Sequence, residues 1–168
     1  MRELKTGETL KNKYQIIEII GRGGMGTVYK ARDLHSGEHI AIKTIPAEVC
    51  KSPEEMERMK ENFSLVHKLK HPNIATTLAL EYLDAENEYF LVMEYCKGVS
   101  LKAYRRKKGG KLPPAEAFRI GKQIASALDY SHSQPGAFRW GTPLGMGMLM
   151  KSQCMRCVWM IFILGSMR

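Results

Sequence analysis

The chain has 168 residues, a net charge of +9, 44% hydrophobic residues and four cysteines, a size that suits one domain. Met1-Arg2-Glu3-Leu4-Lys5 lacks the apolar run of a secretory leader, and no stretch reaches the roughly 20 apolar residues of a membrane-spanning helix. The irregular cysteine spacing argues against a disulfide framework and for a reducing, cytoplasmic setting.

Residues 1–13 form an N-terminal extension, and no internal repeat stands out. Tyr14 to Ile20 (YQIIEII) is rich in β-branched residues and predicts a strand. The triplet Gly21-x-Gly23-x-x-Gly26 follows. Thr27 to Ala31 predicts a second strand, Asp33 to Gly37 a turn, and Ile40 to Lys43 a third strand. A dinucleotide-binding fingerprint requires a helix after its glycines, and here a strand follows. A phosphate-loop NTPase continues with Lys then Ser or Thr, whereas this chain continues with Thr27-Val28. The remaining form is a glycine-tipped hairpin with a lysine on the next strand. Glycines let backbone N–H groups approach phosphate oxygens without a Cβ in the way. Ala41 and Lys43 share one face of an alternating strand, and a lysine ammonium is a compact charge suited to phosphate.

This constellation resembles the nucleotide-binding region of protein kinases, most closely the bacterial eukaryotic-like (Hanks-type) serine/threonine kinases. The resemblance covers about Tyr14 to Ser133. It implies an α+β fold: a kinase-like small lobe over residues 14–95, with a five-stranded antiparallel sheet and one main helix, then a hinge and the first large-lobe helices over 96–133. It implies ATP as the cofactor, covered at its phosphates by Ile20, Gly21, Arg22, Gly23, Gly24, Met25 and Gly26. Val28 and Ala41 are then expected on the adenine, and Lys43 on the α- and β-phosphates.

Ser52-Pro53-Glu54-Glu55 predicts a helix start with a capping box. Met56, Met59, Phe63, Val66 and Leu69 recur near helical spacing, and the helix is expected to stop near His71-Pro72. By resemblance this helix supplies a glutamate to the strand lysine. Counted back from His71-Pro72-Asn73-Ile74, that position falls on Asn62, with Glu61 one residue and about 100° away. Either the branch tolerates asparagine or ATP is held less well.

Ile74 to Leu83 and Tyr89 to Glu94 predict two strands joined by the turn at residues 84–87. The second resembles the strand entering the kinase hinge. Met93 is then the gatekeeper, and the backbones of Glu94 and Cys96 face the adenine edge. Leu101 to Lys108 predicts a short basic helix, and Ala115 to Ser133 a longer one with Phe118, Ile120, Ile124, Ala127 and Leu128 near one face.

The pattern then breaks. A kinase presents His-Arg-Asp, a following Asn and Asp-Phe-Gly at this point. From Tyr130 to Arg168 there is no Asp, Glu or Asn. The carboxylate base and the acidic Mg²⁺ ligands expected for the family are therefore missing, and no catalytic or metal-binding residue is assigned. Residues 134–168 hold both Trp and six of the 11 Met, and read as out-of-frame or otherwise unrelated coding with no sustained helix or strand period. Cys154-x-x-Cys157 has no second pair to complete a zinc site.

Lys102, Arg105, Arg106, Lys107, Lys108 and Lys111 form a basic cluster without aromatic platforms, so a solvated helix face and no nucleic-acid partner are expected. Two functions follow: a truncated serine/threonine kinase that binds ATP and is inactive alone, or a non-catalytic kinase-like binding module. No residue identifies a protein substrate or partner.

Overall fold

A computed structural model describes residues 3–23, 26–45, 52–83, 88–134, 149–152 and 158–161. In chain order the elements are β1 (Thr9–Leu10), β2 (Tyr14–Gly23), β3 (Gly26–Asp33), β4 (His39–Ile45), α1 (Pro53–His67), β5 (Thr77–Leu83) and β6 (Glu88–Glu94). They continue as β7 (Val99–Ser100), α2 (Leu101–Lys107), α3 (Pro114–Ser133), β8 (Leu149–Ser152) and β9 (Val158–Ile161). Two compact units form, one from Met1–Lys68 and Thr76–Tyr95, the other from Leu69–Ala75 and Cys96 onward.

The first unit is built on an antiparallel sheet of six strands in the order β1-β2-β3-β4-β6-β5. Five match the expected strands, and β1 is an addition from the N-terminal extension. It pairs Thr9 with Gln15 and Leu10 with Tyr14. A two-residue strand carries no readable alternation, so only the fold reveals it. Tyr29, Ala31, Ile40, Ile42, Phe90 and Val92 project from one sheet face into a core with Tyr14 and Ile16. Leu4 and Leu10, 5% and 3% exposed, close this core. The buried Leu4 N–H donates to Tyr29 Oη at 3.1 Å. Burying each leucine side chain contributes roughly 1.5–3 kcal/mol.

Helix α1 starts as its sequence dictates. Ser52 Oγ accepts from Glu55 N–H at 3.2 Å, and Glu55 Oε2 accepts from Ser52 N–H at 3.2 Å. The helix stops at His67, four residues before the expected His71. Lys68 N–H turns back onto the Leu65 and Val66 carbonyls. His67 stacks on Phe63 at 5.3 Å, and its Nδ1 lies 2.9 Å from the Thr77 carbonyl on β5.

In the second unit His71-Pro72-Asn73 is fastened to α3. Asn73 N–H donates to His71 Nδ1 at 3.1 Å, and His71 Nε2 lies 3.2 Å from Ser126 Oγ. Asn73 Nδ2 donates to the Gln123 carbonyl at 3.3 Å. Leu69, Ile74 and Ala127 form a small core with Ile124 and Tyr130. Phe118 departs from the expected apolar face: it is 71% exposed, with Lys122 Nζ over its ring. Lys108 of the basic cluster pairs with Glu116 at 3.6 Å.

Within residues 134–168, β9 pairs parallel with β7 and antiparallel with β8. Val158 to Ile161 is β-branched and aromatic enough to form a strand; β8 lies close by in sequence, and β7 is distant. The 84–87 turn, Cys154 and Cys157 lie outside the described residues. Among the described residues no helix is long and apolar enough to cross a membrane.

Candidate functional site

The glycine triplet closes the β2–β3 hairpin. Gly21 pairs with Val28, Arg22 with Thr27, and Gly23 with Gly26. Gly24 and Met25 lie outside the described residues. Ile20 is 37% exposed beside this end, and the exposed Arg22 guanidinium pairs with Glu3 of the N-terminal segment. Gly26 has φ +110°, and a Cβ there would lie 2.1 Å from the Thr44 carbonyl oxygen. Steric exclusion and backbone conformation thus both demand glycine at that position.

The ladder then aligns the predicted side chains. Val28 stands opposite Lys43, which stands opposite Leu91. Two residues along, Ala41 lies between Lys30 and Met93. Cross-strand partners share a face and residues two apart share it as well, so Val28, Ala41, Lys43 and Met93 occupy one face. Val28, Ala41 and Met93 are buried. Lys30 pairs with Glu18 at 3.6 Å and lies over the Tyr95 ring. Glu94 N–H donates to the Thr76 carbonyl at 2.8 Å, and its carboxylate accepts from Thr76 N–H at 3.2 Å. Cys96 opens the second unit, half-buried and outside any disulfide.

Lys43 is half-buried, and burial lowers its pKa below the usual lysine range. Its ammonium has no acidic partner among the described residues. On α1, Asn62 is half-buried and Glu61 exposed. No described hydrogen bond joins Asn62 to Lys43.

Sequence reasoning missed Thr44. It is 4% exposed, and its hydroxyl contacts the Thr27 backbone. The signal was present: Ile40, Ile42 and Thr44 alternate on the core face, and the third is polar. The arrangement can do two things chemically. Glycine-hairpin N–H groups and an ammonium attract an oxyanion, and the apolar row at Val28, Ala41 and Met93 accepts a flat ring.

The family model for the protein kinase domain matches residues 14–139. Serine/threonine-protein kinase PrkC of Bacillus subtilis is 35% identical over 126 residues, covering 75% of this chain and 19% of PrkC. CBL-interacting serine/threonine-protein kinase 13 of Arabidopsis thaliana is 33% identical over 128 residues, covering 76% of this chain and 25% of that protein. The chain therefore spans a quarter or less of these relatives. The crystal structure of the Mycobacterium tuberculosis PknI kinase domain shares its fold, with TM-score 0.72 and 23% identity over 98% of this chain and 64% of that one.

Proposed function

The chain belongs to the protein kinase family, on its serine/threonine side, and from that premise we propose that these 168 residues bind ATP without transferring its γ-phosphoryl group. The family reaction delivers that group to protein serine or threonine hydroxyls. In this reading the β2–β3 hairpin covers the phosphates and Lys43 meets the α- and β-phosphate oxygens. Val28, Ala41 and Met93 line the adenine, and the Glu94 and Cys96 backbones stand at its edge. Residues 14–95 act as the small lobe, 96–133 as hinge and first large-lobe helices, and 134–168 as sequence foreign to the family pattern. A cytoplasmic setting fits a Cys96 that forms no disulfide.

One observation carries the nucleotide reading. Gly26 is held against the strand that bears Lys43, with Val28 opposite that lysine. Loop, lysine and apolar row thus share one scaffold. Mg²⁺ does not fit in the same way: no side chain from Tyr130 onward offers a carboxylate, so no step is routed through it. Positioning and metal electrostatics supply nearly all phosphoryl-transfer catalysis, and residues 130–168 offer no carboxylate to orient the attacking hydroxyl or hold the metal.

The test is calorimetric titration of the chain with a non-hydrolysable ATP analogue, alongside γ-labelled ATP and a generic protein substrate. Binding is expected, weakened about tenfold or more by Lys43→Met, which corresponds to roughly 1.4 kcal/mol. No label should transfer. Lys43-dependent label incorporation by the pure chain would overturn the inactive reading, and absence of binding would overturn the ATP reading.

A second reading, a non-catalytic module that captures a protein partner, is favoured by Lys43 having no acidic partner among the described residues. Partner capture indifferent to Lys43→Met would support it.

A further inference from the structure

Thr44 stands at the place where β3 leaves β4 to become the glycine hairpin. The paired register runs from Arg32–His39 to Val28–Lys43. One step further, a side chain joins the strands. Thr27 N–H donates to Thr44 Oγ1 at 3.1 Å, and the Thr44 hydroxyl lies 3.3 Å from the Thr27 carbonyl in donating geometry. A single hydroxyl can accept and donate at once, so it serves both backbone groups of Thr27. The residue is 4% exposed, so water cannot readily replace it. The same residue's carbonyl lies where a Gly26 Cβ would be, 2.1 Å away. Thr44 thus touches the last glycine of the triplet and the residue after it. It also directly follows Lys43, whose side chain projects from the opposite face.

We propose that Thr44 is a positioning residue that sets the height of the glycine hairpin relative to Lys43, and so the space left for a polyphosphate. The proposal rests on the ATP reading above. Thr44 itself meets no nucleotide; it acts through the Thr27 backbone and Gly26. A hydroxyl is the necessary feature. Valine matches the shape of threonine but can neither accept from Thr27 N–H nor donate to its carbonyl. Serine keeps the hydroxyl and loses a methyl.

The experiment compares the parent chain with Thr44→Val and Thr44→Ser in two measurements. Amide exchange at Thr27, read without nucleotide, reports the fastening alone. It is expected to accelerate roughly three- to tenfold in Thr44→Val, the range for one lost hydrogen bond, and to stay near the parent rate in Thr44→Ser. Titration with the ATP analogue then reports positioning. Affinity should fall roughly three- to tenfold in Thr44→Val and recover in Thr44→Ser. Urea midpoints establish that each variant is folded. Unchanged Thr27 exchange in Thr44→Val, or equal acceleration in both variants, would overturn the fastening. Altered exchange with unaltered nucleotide affinity would overturn the positioning role. If exchange responds but even the parent binds no nucleotide, the ATP reading fails, and Thr44 is reduced to a strand fastener.

Discussion

At the residue scale, Lys43 decides most. An ammonium that is half-buried without an acidic partner among the described residues is costly to charge, and burial lowers its pKa. The folded-state pKa therefore lies below the unfolded value of about 10.4. Between the two, the unfolded chain binds more protons, so stability rises with pH through that alkaline window. Below the folded pKa both states are charged and a constant penalty remains. Lys43→Met is expected to stabilise the chain at pH 7 by about 1 kcal/mol and to abolish the alkaline rise. Urea melts of both chains from neutral pH to pH 10 measure this. Identical pH slopes would mean that the ammonium is well solvated in the fold. The same substitution is predicted to weaken nucleotide binding, so stability and function pull in opposite directions at this position.

At the element scale, helix α1 carries the open question. Its start is locally determined, because Ser52 and Glu55 satisfy each other's backbone N–H groups. Its role is not, because position 62 offers an amide where the family pattern implies a carboxylate. If α1 presents that position to β4, Asn62→Glu supplies an ionised partner for Lys43. A well-formed charge-assisted bond contributes roughly 1.5–3 kcal/mol, and a solvated one less than about 1 kcal/mol. ATP-analogue affinity is expected to rise about fivefold, or near 1 kcal/mol. The gain should vanish in a Lys43→Met background, since it runs through that pair. Equal affinities for the parent and Asn62→Glu chains, with Lys43 intact, would show that α1 turns position 62 elsewhere.

At the scale of the whole molecule, the N-terminal segment belongs to the first unit's core. Leu10 is 3% exposed within the same cluster as Tyr29, Ile42 and Phe90. Leu10→Ala is expected to cost about 2–4 kcal/mol through lost burial and an unfilled cavity, a large share of the roughly 5–15 kcal/mol that holds a domain together. Chemical denaturation reports this directly. A loss under about 0.5 kcal/mol would mean that the segment can leave without disturbing the core. Such a result would also remove the reason for Leu4 N–H to stay on Tyr29 Oη.

The amino-acid sequence by itself determined the five long strands and three helices and the shared face of Ala41 and Lys43, while Val28 and Met93 entered through the family resemblance. Alternation put Ala41 and Lys43 on one face, the glycine spacing marked the hairpin, and Ser52-Pro53-Glu54-Glu55 marked the helix start, because each signal lies within a few adjacent residues. Only the tertiary structure decided which distant groups meet. The Leu4–Tyr29 bond spans 25 residues and the Thr27–Thr44 bond 17, and β7 finds its parallel partner in β9, far along the chain. Local patterns record whether a side chain is apolar, but they are silent about which partner buries it. That is why Leu10 reads as an isolated leucine before a strand and proves to be core. Thr44 likewise reads as a polar lapse in an apolar face and proves to be the hydroxyl that fastens the hairpin.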